Sequence, residues 1–372
     1  MFLTWVEISK SRLKSNLRQF RQLVGTQRKL MVIVKSNAYG HGILEVARIC
    51  LEAGADWLGV ANLTEALFLR ANKILGPIFI LSYYPLDKFK IKRGAQQGID
   101  FPVYTLGQIK FLNQVGQELR KKINIHLKID TGASRIGVQN LETALILKEK
   151  IRNSNFLNLR GIFTHYADSE SEDQSYADQQ TKKFQEISRV VEAPFSHAAC
   201  SAAMINSQDS FFNMVRLGIG LYGLWPSFYT RQKAAQFSLS LKPVLSWWTK
   251  VIQVKELKAG TPVGYDRTFV TKKKTKIAVL PVGYADGYDR HLSNQGLVIV
   301  NGVSCPVRGR VCMNLLMIDV SQVKNIKVGD KALLLAGEDK SLSNADDWAQ
   351  KIGTINYEVV TRINQNIPRI YK

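Results

Sequence analysis

Eight short apolar runs rich in β-branched residues recur through the first 223 residues, and segments of helical period separate most of them. The runs are "KLMVIVK" (29–35), "DWLGVA" (56–61), "PIFILS" (77–82), "GIDFPVY" (98–104), "INIHLKID" (123–130), "LRGIFTH" (159–165), "APFSHAA" (193–199) and "MVRLGIGLYG" (214–223). Between them lie stretches such as "ILEVARICLEAG" and "LETALILKEKIRN", apolar at helical spacing with Gly or Asn near their ends. Strands that are apolar almost throughout, alternating with helices, belong to a parallel sheet buried on both faces. Eight such units suit an N-terminal (β/α)8 TIM barrel, a fold of about 250 residues. A doubly wound open sheet is the competitor, but no G-x-G-x-x-G follows the first run.

After about residue 232 the rhythm changes to "LSWWTKVIQVKEL", "TKIAVLPVGY", "GLVIVNGVSCPVRGRVC", "NLLMIDV" and "KALLLAG", divided by Gly, Asn and Asp turns. A mainly β C-terminal domain is expected there, with a helix at "NADDWAQKIG". The expected domains are 1–232 and 233–372, with a first strand at about residues 1–10 available to pair with the second domain.

Fifty-one basic against thirty acidic residues give a net charge of +21, which invites a nucleic-acid or membrane-surface role. The distribution argues against both, because the densest clusters are Arg120–Lys122 and Lys272–Lys274, without aromatic interleaving. No apolar run approaches the roughly 20 residues that span a bilayer. The opening residues lack a basic leader, an apolar block and a cleavage site, so a cytoplasmic location is expected. Cys50, Cys200, Cys305 and Cys312 are scattered without ligand-like spacing, so neither a disulfide framework nor a metal site is expected.

In "MVIVKSNAYGHG" (31–42) a lysine closes an apolar run, a position poor for solvation. Three readings of Lys35 are open. It could snorkel or pair with a carboxylate, bind phosphate as a point charge, or serve as a Schiff-base lysine whose burial favours the neutral nucleophile. Barrel active sites gather at the C-terminal ends of strands. Asp130 and Arg135 follow the fifth run, His165 ends the sixth, Ser201 lies beyond the seventh, and Arg216 and Gly218 lie on the eighth.

The string "VKSNAYGHG" closely resembles the pyridoxal-phosphate attachment motif of alanine racemases. The resemblance continues through "HLKIDTGASRIG" (126–137), "GIFTHYA" (161–167), "HAACSAA" (197–203), "NMVRLGIGLYGL" (213–224), "VGYDRTF" (263–269), "PVGYADGYDR" (281–290), "GRVCMNLLMIDV" (309–320) and "TINYEV…IPRIY" (354–371). It covers both domains, and a barrel followed by a β domain is that family's fold.

The resemblance implies an isomerase that interconverts L- and D-alanine with pyridoxal 5'-phosphate attached to Lys35. Lys35 would then be the base on one face of the substrate. Tyr265 would be the base on the other, supplied by the partner subunit of a homodimer with shared active sites. A phenol ordinarily ionises near pH 10, and His165 backed by Arg216 is the implied helper. Arg216 is also implied to face the pyridine nitrogen; arginine cannot release a proton, so that nitrogen stays formally neutral and side reactions such as transamination are suppressed. Tyr39, Ser201, the amides of Gly218 and Ile219, and Tyr357 are implied at the phosphate. Arg135, Met313, Tyr265 and Tyr284 are implied at the substrate, a small amino acid.

In "HLKID" the side chains of His126, Lys128 and Asp130 share one face of a strand, and a buried lysine needs a charge partner. In some family members the matching lysine is carbamylated and pairs with the arginine matching Arg135, which contacts the cofactor's phenolic oxygen. An unmodified Lys128 paired with Asp130 is the alternative. Cys200 stands where many relatives have asparagine, and Asn314 where some have aspartate, so substrate breadth stays open: alanine foremost, serine as a minor substrate. A racemase of broader specificity, for serine or lysine, and a non-catalytic carrier of the cofactor are the competing functions. The implied role is supply of D-alanine for peptidoglycan.

Overall fold

The computed structural model describes residues 2–337 and 343–372; Met1 and residues 338–342 of the expected domains lie outside the described residues. Its first elements are β1 (Thr4–Ile8), α1 (Lys10–Val24), β2 (Lys29–Ile33), α2 (Ile43–Glu52), β3 (Trp57–Val60), α3 (Leu63–Ala71), β4 (Ile78–Ile80), α4 (Lys88–Gln96) and β5 (Ile99–Val103). There follow α5 (Leu106–Leu119), β6 (Ile123–Lys128), α6 (Leu141–Arg152), β7 (Leu157–Phe163), α7 (Ser175–Val191), β8 (Phe195–His197), α8 (Ser201–Asn206), β9 (Met214–Leu217) and α9 (Phe228–Ala234).

Seven of the eight apolar runs contain one of β2–β9 whole, the sixth overlaps β7, which starts two residues earlier at Leu157, and the eight strands close into a barrel. Neighbours are parallel, and β9 returns to β2 in the register Lys29↔Met214. Local chemistry starts the outer helices. Asn62 accepts the Glu65 amide at 3.0 Å before α3, Thr105 the Gln108 amide at 3.2 Å before α5, and Asn140 the Thr143 amide at 2.8 Å before α6. Such caps satisfy amides that have no partner inside a helix.

Chain packing divides the molecule into two compact units. One holds Lys14–Ala38 and Ile43–Leu241; the other holds the chain up to Leu13, Tyr39–Gly42 and Lys242–Lys372. The barrel unit therefore runs past residue 232 to Leu241. Its last stretch is tied to α1, because the Gln19 side chain donates to Ser240 O at 3.0 Å and accepts from Ser240 N at 2.7 Å.

The second unit contains β10 (Leu245–Lys250), β11 (Gln253–Leu257), β12 (Pro262–Val263), β13 (Phe269–Val270), β14 (Thr275–Leu280), β15 (Leu297–Val300), β16 (Val303–Pro306), β17 (Leu316–Asp319), β18 (Lys331–Leu335), α10 (Ala345–Ile352), α11 (Asn356–Thr361) and β19 (Arg369–Tyr371). A six-stranded sheet runs β16-β15-β18-β10-β1-β19, beside a three-stranded sheet β11-β14-β17 and the short hairpin β12-β13. Strand β1 lies inside that sheet, antiparallel to β10 (Trp5↔Trp248) and parallel to β19 (Glu7↔Ile370). Among the described residues no helix is long and apolar enough to cross a membrane.

Candidate active site

Lys35 leaves the C-terminal end of β2 and opens a left-handed turn. Ser36, Asn37, Ala38 and Tyr39 have φ of 54, 54, 53 and 53°, a conformation that L residues adopt reluctantly. Hydrogen bonds hold the turn in place. Glu65 accepts the Ser36 amide at 2.7 Å and the Ala61 amide at 2.8 Å, Asn37 accepts the Ile43 amide at 2.9 Å, and Ala38 N donates to Val34 O at 2.9 Å. Burial, and next the charge of Arg135, lower the Lys35 pKa, while Glu65 opposes them. The amine is thus shifted toward its neutral, nucleophilic form.

Lys128 ends β6 and is buried. Burial and the charges of Arg216 and Arg135 bring its pKa to about 7 against the opposing pull of Asp130. The pairing of Lys128 with Asp130 is not formed. Asp130 instead accepts the amides of Gly132 and Ser134 at 3.0 Å and of Arg135 at 2.9 Å, which shapes the loop that carries Arg135. Lys128 Nζ sits over the Phe163 ring, 4.3 Å from its centroid, with no hydrogen-bond acceptor among the described residues.

Arg216, buried on β9, spends its terminal nitrogens on backbone oxygens: His197 O, Thr164 O and Ala198 O, each at 2.7 Å. Its Nη1 also meets His197 Nδ1 at 3.0 Å and its Nη2 His165 Nδ1 at 3.4 Å. Nε has no protein acceptor among the described residues. A guanidinium only donates, so Nδ1 of His165 holds its lone pair and Nε2 carries the hydrogen. Burial, followed by the charges of Arg216, Lys128, Arg135 and Lys35, holds His165 well below the usual imidazole range. His165 is therefore a neutral hydrogen-bond donor at pH 7.

Ser201 accepts the amides of Gly218 at 2.9 Å and Gly220 at 3.2 Å. The hydroxyl proton of Ser201 remains to be given elsewhere. The Ile219 amide opens a 3-10 turn, where first amides lack an internal partner. Nearby, Cys200 Sγ lies 3.2 Å from Ser169 Oγ.

The second unit carries the other predicted residues. The rings of Tyr39 and Tyr357 lie 6.1 Å apart. Tyr265 projects from a tight turn between β12 and β13, where Asp266 and Arg267 have φ of 58 and 48°, and is 69% exposed. Tyr284 and Met313 are also exposed, and backbone bonds of 3.0 Å from Tyr284 N to Cys312 O and from Ala285 N to Met313 O hold their segments together. Tyr284 lines a shallow pocket with Gly287, Asp289, Arg290, His291 and Arg362.

Sequence reasoning missed Glu65, Gln180 and the pair His126–His197. Gln180 accepts the Ala167 amide at 2.9 Å and donates to Thr131 Oγ1 at 3.1 Å, clamping the loops after β6 and β7. Gln180 shares the buried face of α7 with Ala177, Phe184 and Ile187, a helical spacing that could have marked it as inward-facing, but only the fold supplies its partners.

The family model described as alanine racemase, N-terminal domain, matches residues 8–226, and that described as alanine racemase, C-terminal domain, matches residues 244–371. An alanine racemase of Methanococcus maripaludis is 38% identical over 372 residues, covering 99% of this chain and 98% of the relative. One of Clostridium perfringens is 39% identical over 373 residues, covering 99% and 95%. The solved structure of the Clostridium difficile 630 alanine racemase superposes with a TM-score of 0.94 at 32% identity, covering 100% of this chain and 96% of that one. With both halves matched and the whole length shared, the chain belongs to the alanine racemase family of amino-acid isomerases.

Proposed function

We propose that the chain racemises alanine with pyridoxal 5'-phosphate, using Lys35 and the partner subunit's Tyr265 as bases on opposite faces of the α-carbon. The observation that carries this reading is Lys35 itself, an amine with lowered proton affinity at a barrel strand end beside Arg135, Lys128, His165 and Arg216. When bound, the cofactor supplies an electron sink for the pair left at the α-carbon. The protein residues do the rest.

Lys35 would hold the cofactor through Nζ, then take or return the α-proton at that atom. The Ser201 hydroxyl and the Ile219 amide suit a phosphate, and the family resemblance adds Tyr39 and Tyr357; the Gly218 amide, expected there too, is instead given to Ser201 at 2.9 Å. Arg216 Nε is the donor without a protein acceptor, which suits an aromatic nitrogen that must not be protonated. His165 Nε2–H suits a phenolate, and the neutral imidazole favours leaving the proton off the partner subunit's Tyr265. Arg135, Met313 and Tyr284 would flank the substrate. Burial and the charges of Arg216 and Arg135, which bring the Lys128 pKa to about 7, favour the neutral amine, the form that takes up carbon dioxide, and so support a carbamate at Lys128. The exposure of Tyr265 supports its delivery to a partner subunit in a homodimer. From the family resemblance we extend the reading to a cytoplasmic enzyme that supplies D-alanine for peptidoglycan, with a barrel domain whose sequence ends near Leu241.

Circular dichroism of L-alanine and of D-alanine incubated with the cofactor-loaded protein tests the proposal. Both signals should decay to zero, and borohydride should fix the cofactor on Lys35. Lys35→Ala should lose nearly all activity, and Tyr265→Ala about 10²–10⁴-fold, unequally for the two enantiomers. Stable signals from the loaded protein would overturn the reading. Faster turnover of serine or lysine would move it to a broader-specificity racemase.

A further inference from the structure

Behind Arg216 lies a set of buried groups that this scheme does not use. His197 Nε2 meets His126 Nδ1 at 3.0 Å, and His126 Nε2 meets Asp100 Oδ2 at 3.1 Å. Asp100 also receives Asn124 Nδ2 at 3.1 Å and Arg160 Nη1 at 3.2 Å. His126, His197 and Asp100 are fully buried.

The two ends of this row fix every hydrogen in it. Arg216 can only donate, so His197 Nδ1 must present a lone pair and His197 Nε2 must carry the hydrogen. That hydrogen points to His126 Nδ1, so His126 carries its own on Nε2 and gives it to Asp100. A carboxylate can only accept, so the far end demands the same order independently. Three bonds use one hydrogen each, and both imidazoles are neutral.

The barrel is shaped to hold this row. Phe79 stacks on His126 with centroids 4.3 Å apart, and Phe163 on His197 at 5.0 Å. Gly161 leaves room for the ring, since a Cβ there would lie 2.2 Å from His126 Nδ1. The register of β6 with β7 shifts between Ile125 and His126, skipping Arg160. Such an irregularity re-aims a side chain, and Arg160 reaches Asp100 while resting 4.3 Å over the Trp57 ring. The row runs from Asp100, near the start of β5, to Arg216 on β9.

We propose that Asp100, His126 and His197 are positioning residues, a one-way hydrogen-bond chain through the barrel that locks Arg216 and leaves Nε as its one uncommitted donor. The catalytic consequence rests on the function proposed above; the proton order does not. Asparagine cannot replace Asp100 silently, because its amide must face either His126 Nε2–H or the donors of Asn124 and Arg160. Glutamine at 126 offers an acceptor and a donor in place of the two ring nitrogens, whereas leucine offers neither.

The test labels the five histidines with ¹⁵N in the cofactor-loaded protein and assigns His126 by its loss in His126→Gln. His126 and His197 should both be neutral Nε2–H tautomers from about pH 6 to about pH 9, where a free imidazole would titrate. His126→Leu and Asp100→Asn should lower kcat about tenfold or more with KM changed less than about threefold, and His126→Gln should stay within about threefold of the parent. An Nδ1–H tautomer or an imidazolium at either residue would overturn the chain. So would a full kcat in His126→Leu, or equal losses in the Leu and Gln variants. A loaded parent protein that shows the stated tautomers yet leaves alanine unchanged would overturn the function reading and leave the chain supported.

Discussion

Ser36, Asn37, Ala38 and Tyr39 follow Lys35 in four consecutive left-handed conformations, each costing about 1–2 kcal/mol for a residue with a Cβ. Glu65, Asn37 and Val34 O hold that strain with hydrogen bonds, and the reward is a fixed exit direction for Lys35. Ser36 is exposed, so its conformation can be relaxed without losing core contacts. Ser36→Gly should raise stability by about 0.5–1 kcal/mol and Ser36→Val should lower it by more, both read from urea unfolding. Lys128 gives a second prediction at this scale, through pH. Its pKa falls from 10.5 in the unfolded chain to about 7 in the fold, so between those values the unfolded state binds more protons and stability rises with pH. Below about pH 7 both states are protonated and the burial cost is borne in full. Lys128→Met removes the titration and the cost. The stability gap between Lys128→Met and the parent should therefore narrow by up to a few kcal/mol as pH rises from about 7 to about 10. A carbamate also requires loss of that proton, so it gives the same sign. A gap that stays constant would contradict the buried-amine account.

At the scale of elements, the segment Tyr39–Gly42 packs with the C-terminal unit although it is embedded in the barrel sequence. Arg369 Nε donates to Gly40 O at 3.1 Å and Tyr371 OH to His41 O at 2.9 Å. At Gly40, φ is +83° and a Cβ would lie 2.1 Å from Val360 O in α11. Gly40→Ala should thus cost about 2–4 kcal/mol, seen as a lower urea midpoint with an unchanged slope. The barrel strands could be read from sequence because strands buried on both faces are apolar throughout. The allegiance of 39–42 could not, since its partners Val360, Arg369 and Tyr371 lie more than three hundred residues away. The turn carrying Tyr265 was equally silent: β12 and β13 have two residues each, too few to show an alternation. His126 could be assigned a face by alternation, but His197 and Asp100, on β8 and β5, become its partners only when the barrel closes.

For the whole molecule, the function proposed above, with Tyr265 exposed and Lys35 half-buried, predicts that each complete site draws on two chains. Light scattering should give twice the 41.9 kDa chain mass. Lys35→Ala and Tyr265→Ala proteins, each inactive alone, should recover about a quarter of parental activity when dissociated together and reassembled, because half the dimers are mixed and each then has one intact site. No recovery, with mixed dimers demonstrated by mass, would contradict site sharing. The central place of β1 has a further outcome during synthesis. Thr4 bonds to Trp248, 244 positions later, and β19 must follow as well. At about 5–20 residues per second, β1 stays without either neighbour for roughly 10–50 s after it is made. A growing polypeptide can thus finish its barrel while its first strand still waits, and in that interval its bare edges are open to chaperones or to other nascent chains.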